Sequence, residues 1–93
     1  MYKVNVNINK GYFALQIRNK IIGHVNVALE GNKLKILDTV VLVSRYLPLI
    51  GKLLLQGVVR YARLHELQIV TISKFAEDQF SGEASYADVW QKV

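Results

Sequence analysis

No cysteine occurs in the 93 residues, which excludes disulfides, thiolate zinc sites and a cysteine nucleophile together. Long apolar runs are missing as well: each hydrophobic stretch is broken by charge or polarity well before a membrane span could form. The opening Met1-Tyr2-Lys3-Val4-Asn5 alternates polar and apolar instead of building the apolar block of a signal peptide. The expectation is a cytoplasmic protein without a membrane segment. Histidine is scarce, His24 and His65 being the only two, and Pro48 is the sole proline. No internal repeat or low-complexity run is visible. Acidic residues are few, seven against twelve Lys and Arg, and the net charge of +5 favours an anionic partner: nucleic acid, a phosphate-bearing cofactor or an acidic protein.

What is present is core material. With 52% hydrophobic and 20% charged residues, the composition is that of a folded chain. Its length fits one domain, 1–93, that removes roughly 60–65% of the unfolded surface on folding. A mean hydropathy of +0.20 is high for so small a unit and is compatible with a homodimer that covers an apolar face.

The chain is organised around residues 49–73. Across 49–65, Ile50, Leu53, Leu54, Gly57, Val58, Tyr61, Ala62 and His65 recur at three- and four-residue spacings. Lys52, Gln56, Arg60, Arg63 and Glu66 mark the wetter side, so the period predicts a helix of about four turns. Pro48 has a fixed φ and no amide hydrogen to lose, which suits the first turn. Gly51 is expected to leave backbone exposed there, where an anion could approach the amides and the positive pole of the helix. After the helix, Leu67-Gln68-Ile69-Val70-Thr71-Ile72 is β-branched and too short for another helix. It predicts an interior strand whose end, Ser73-Lys74, is where an open α/β sheet tends to place chemistry.

Upstream, Val4, Val6 and Ile8 alternate with Lys3, Asn5, Asn7 and Asn9, and Phe13, Leu15 and Ile17 with Ala14, Gln16 and Arg18. These predict two strands joined by an Asn9-Lys10-Gly11 turn. A tighter turn at Asn19-Lys20 leads to a third strand over 21–29, with Ile21, Gly23, Val25, Val27 and Leu29 on its drier face. A turn at Glu30-Gly31-Asn32 leads to a fourth over 33–43, apolar on both sides and so expected to carry a layer on each. The tail suggests a short helix over 75–80, a loop at Ser81-Gly82-Glu83 and an aromatic end, 86–90, that forms a last strand or a docking turn. The fold class is α+β (mixed α/β): an antiparallel β meander, a central helix and a further strand.

This layout resembles the GNAT-type N-acetyltransferases, most closely their minimal members of about a hundred residues that consist of little but the acetyl-CoA-binding core. The resemblance runs from about Phe13 to Trp90. Leu37-Asp38-Thr39-Val40-Val41 sits where small members carry a His-Thr pair followed by valine, Asp38 taking the histidine place. Tyr46-Leu47-Pro48-Leu49-Ile50-Gly51 sits at the Arg/Gln-x-x-Gly-x-Gly/Ala pyrophosphate loop. Gly51 alone matches there, and Arg45 is one residue early for the basic position. Val70-Thr71-Ile72-Ser73-Lys74-Phe75 resembles the apolar-Pro-x-Cys-x-aromatic stretch, with Thr71 for the proline and Ser73 for the cysteine. Tyr86 resembles the tyrosine after the closing histidine, and that histidine is absent.

The resemblance implies a domain that binds acetyl-CoA or another acyl-CoA through Arg45, Leu49, Ile50, Gly51 and Lys52 and passes the acyl group to an amine, with Asp38 and Ser73 as catalytic candidates and no metal. Each has a plainer interpretation. Ser73 without a positioned histidine is no triad and suits a strand-end residue bonding backbone; Asp38 suits a polar end to an apolar strand. The missing cysteine and histidine keep open a non-catalytic ligand-sensing or protein-interaction module. The aromatics are not interleaved with basic residues as single-strand binders require, which argues against nucleic acid.

Overall fold

A computed structural model describes residues 2–42 and 47–91. Four strands run in a meander: β1 (Tyr2–Asn7), β2 (Tyr12–Ile17), β3 (Lys20–Glu30) and β4 (Lys33–Val41), each antiparallel to the next. At the first turn Gly11 adopts φ +79° and donates to the Asn7 carbonyl at 2.9 Å. A Cβ there would lie 2.8 Å from the Val27 carbonyl, so only glycine lets β3 pass this close. The second turn is Arg18-Asn19, one residue earlier than the Asn19-Lys20 expected from the sequence, with Arg18 at φ 58°. A bulge corrects the register: Leu15 faces Gly23 and Gln16 faces Ile21, which leaves Ile22 as the extra residue. Ile21 is thereby turned away from the core that the alternation had assigned to it.

Helix α1 (Leu47–Leu64) follows β4, and β5 (Gln68–Thr71) returns parallel to β4, giving the strand order β1-β2-β3-β4-β5. Helix α2 (Lys74–Ser81) and a 3-10 turn (Ala84–Tyr86) complete the chain. The aromatic end contributes one bridge rather than a strand: the Ile69 amide donates to Val89 and the Gln91 amide to Ile69. It is a docking turn.

Both helices lie on one face of the sheet and share one core. Phe13, Leu15, Val25, Leu34 and Ile36 from the strands meet Leu54, Val58 and Ala62 of α1 and Ala76 and Phe80 of α2. Fully burying each such large side chain stabilises by roughly 1.5–3 kcal/mol. The helix buries a wider arc than its simple periodicity marked, because it has two partners. Leu54, Val58 and Ala62 face the sheet side, while Leu55 and Val59, each 1% exposed, continue the stripe that starts at Gly51 against Phe75 and ends at Arg63. There the guanidinium bonds Asp88 at 3.0 Å from both Nε and Nη2 and the Ser85 carbonyl at 2.5 Å, clamping the tail to the helix.

The expected layer on each side of the fourth strand is not found. No described helix packs on the face that carries Asp38 and Val40, and Leu37 is 37% exposed. Its apolar character reflects a bulge and a cleft, described next.

Candidate functional site

β4 and β5 pair from Lys33↔Gln68 to Ile36↔Thr71, with the Ile72 amide closing on the Ile36 carbonyl at 2.9 Å. Beyond that point β5 ends and turns into α2, whereas β4 runs on to Val41 with β3 as its one strand neighbour among the described residues. The two parallel strands therefore splay at their carboxyl ends, and α1 and α2 both begin there. Crevices outside the carboxyl ends of parallel strands are where open α/β sheets hold ligands. A second bulge marks the parting point, since Asn26 faces Asp38 and Val27 faces Ile36, leaving Leu37 unmatched. Bulges of this kind re-aim side chains beside active sites.

The candidates fall around this opening. Asp38 and Ser73 lie two residues beyond the last pair, Ile36↔Thr71, on its two lips. Each is otherwise engaged. Asp38 is exposed on the outer face and accepts from Asn26 Nδ2 at 3.0 Å. Ser73 is the N-cap of α2: its Oγ accepts from the Ala76 amide at 3.2 Å, and its backbone is extended as a cap requires. The structure so gives Ser73 a capping role, and neither histidine is bonded to it: His65 stacks on Tyr61 at the far end of α1, with ring centroids 4.1 Å apart.

At the start of α1, Leu49 and Lys52 are exposed and Ile50 is buried over Gly23, so Ile50 offers backbone only. Gly51 is buried, and the expectation of open backbone at this glycine is overturned. A Cβ there would lie 2.4 Å from Phe75 Cζ, so the residue serves the close packing of α2 on α1. The amides that have no partner within the helix belong instead to the turn before it, where Pro48 supplies none. Lys52 leans into a groove with Asp78, Gln79 and Glu83. Arg45 lies outside the described residues.

One site residue had been noted only as part of a motif. Thr39 pairs across with Val25 and faces the helical layer, and its Oγ1 is buried without a partner among the described residues. Buried hydroxyls are nearly always hydrogen-bonded, and an orphan on the splayed part of β4 suits a polar ligand group entering the cleft. No group of three or more metal-ligating side chains occurs among the described residues, and no described helix is long and apolar enough to cross a membrane.

A mixed sheet whose parallel pair opens at the start of two helices is an α+β architecture. A solved NMR structure of a GCN5-like putative N-acetyltransferase from Staphylococcus aureus matches it with a TM-score of 0.75 and 26% identity, covering 98% of this chain and 89% of that one. No protein-family model and no curated protein matches the chain. The fold is thus GNAT-like while the motifs are degenerate.

Proposed function

We propose that this domain binds acetyl-CoA or a related acyl-CoA in the β4–β5 splay and acts as an N-acyltransferase on an amine. The observation that carries the proposal is the orphan hydroxyl of Thr39, set in the segment of β4 that has lost its β5 partner. An amide-bearing chain lying along that segment would satisfy the hydroxyl and the free edge of β4. The first-turn amides at Leu47 and Leu49 would receive the phosphates, since a helix start combines donors unpaired within the helix with the positive pole. Bound there, an acyl-CoA supplies a thioester whose acyl group passes to the amine nitrogen with release of the thiol. Asp38 is the proton acceptor of choice, because an ammonium must lose a proton before its nitrogen can attack. Calorimetry with CoA tests the proposal. Saturable binding with a dissociation constant below ~1 mM is expected, and no heat at that concentration would sink it.

A second reading is favoured by a specific observation: Ser73 caps a helix and Gly51 is packed against Phe75, so two positions that resembled the chemistry of the family have structural work. On that reading the domain binds its ligand without turning it over. Acetyl transfer to an amine panel that disappears in Asp38→Asn distinguishes the two.

A further inference from the structure

On the uncovered face of the sheet a small residue is ringed by larger ones. Ala14 lies mid-strand on β2, opposite Asn5 on β1 and His24 on β3. It is 1% exposed although no described helix covers it, because its neighbours stand above it. Tyr12, Ile21, His24 and Asn26 line the hollow that results, about 220 Å³ with Ala14 as its floor. The Ile22 bulge creates this wall, since it is what turns Ile21 outward.

The lining has a definite chemistry. Asp38 adjoins it through Asn26, and because a carboxylate accepts but cannot donate, the Asn26 amide nitrogen is committed to Asp38 and Oδ1 is left over as an acceptor. The Tyr12 hydroxyl and both His24 ring nitrogens have no partner among the described residues. Ile21 gives an aliphatic side and Tyr12 an aromatic ring. Although the chain carries +5, no Lys or Arg among the described residues lines the hollow. Oxygen acceptors, a carboxylate and a ring face are the complement of a positive group.

We propose that this hollow binds a small organic cation, a primary ammonium on one compact apolar group. The apolar part sits over Ala14 between Ile21 and Tyr12, and the charge is directed to Asn26 and Asp38. At about 220 Å³ the space is below that of drug-sized pockets and takes a single ring or a branched alkyl chain. Binding stands by itself. In the strand order Asp38 on β4 separates the hollow from the β4–β5 splay, so if acyl transfer holds, and only then, the cation held here is the acceptor.

The test is an NMR titration of the 93-residue chain without CoA, using 2-phenylethylammonium, 2-phenylethanol and phenylacetate as probes. The ammonium is expected to shift the amides of Ala14, His24 and Asn26 saturably, the alcohol to bind about fivefold more weakly, and phenylacetate not to bind. Asp38→Asn should bring the ammonium down to the affinity of the alcohol. Ala14→Leu should fill the hollow and abolish both. Ile21→Lys, at a position already 44% exposed where folding is not at risk, should abolish the ammonium by repulsion and weaken the alcohol only by the lost part of the aliphatic wall. Equal binding of phenylacetate, shifts confined to other amides, or an unchanged ammonium affinity in Ile21→Lys would overturn the proposal. Calorimetry of Ile21→Lys with CoA keeps the two questions apart. CoA binding without ammonium binding in the unmodified chain defeats this site alone, and the converse defeats the acyl-CoA assignment alone.

Discussion

Gly51 and Phe75 make a pair whose energetics can be separated. Replacing a helical glycine by alanine ordinarily gains about 1 kcal/mol, but here the added Cβ would stand 2.4 Å from the Phe75 ring. Overpacking of that kind costs about 1–3 kcal/mol. Gly51→Ala is therefore expected to destabilise by about 1 kcal/mol, and in a Phe75→Ala background the same change should become stabilising. Urea denaturation of the four proteins checks the reversal of sign. Ser73→Ala is the second case. Loss of an N-cap costs about 1 kcal/mol, and because its oxygen serves the Ala76 amide, CoA affinity should stay within about twofold. A much larger loss of affinity with unchanged stability would restore Ser73 to the ligand site. The backbone-bonding role of Ser73 was legible, since its partner, the Ala76 amide, is three residues away. The role of Gly51 was not: a glycine at a helix start looks the same in sequence whether it meets a ligand or a neighbouring helix, and what decides is Phe75, distant in the chain.

The meander, the central helix and the returning strand were all readable, because period-two alternation and a 3.6-residue stripe need only local information. Register was not. The bulge at Ile22 is marked only by the adjacent Gly23 and that at Leu37 by neither glycine nor proline, and the two determine which side chains reach the outer face. The splay was hidden for a related reason: the apolar character of β4 past Ile36 suggested burial on both sides, whereas it belongs to a strand that has lost one neighbour. The tail offers the clearest test at this scale. Part of its hold on α1, beside the buried Tyr86 and Val89, is the Arg63–Asp88 pair, in which the charged hydrogen bonds from Arg63 keep the Asp88 carboxyl below the usual carboxylate range. With the folded-state value depressed, the contribution is present above the unfolded value, ~4, and lost as pH falls through the lower folded one. Asp88→Asn should be less stable than the parent at pH 7, with the gap closing below about pH 4. Trp90, the only tryptophan and part of that tail, reports the release by fluorescence.

For the whole molecule, charge is the property read most directly from composition, and it bears on binding more than on folding. A chain at +5 meeting a polyanionic cofactor should associate less tightly as salt rises. CoA affinity is expected to fall several-fold between ~0.05 and ~0.2 M salt, whereas the 2-phenylethylammonium affinity should not fall in step, since the protein's overall field opposes that ligand. An affinity for CoA indifferent to salt would place its phosphates away from the basic surface. The way β5 joins the sheet has one more consequence. Every pairing within the meander can zip from a tight reversal, but the four residues of β5 must wait until an entire helix has been laid down and folded back over them. Such non-local closure is slow to form. The crevice between the two parallel strands is accordingly the last part of the molecule to mature during folding and the first to come apart when the chain begins to open.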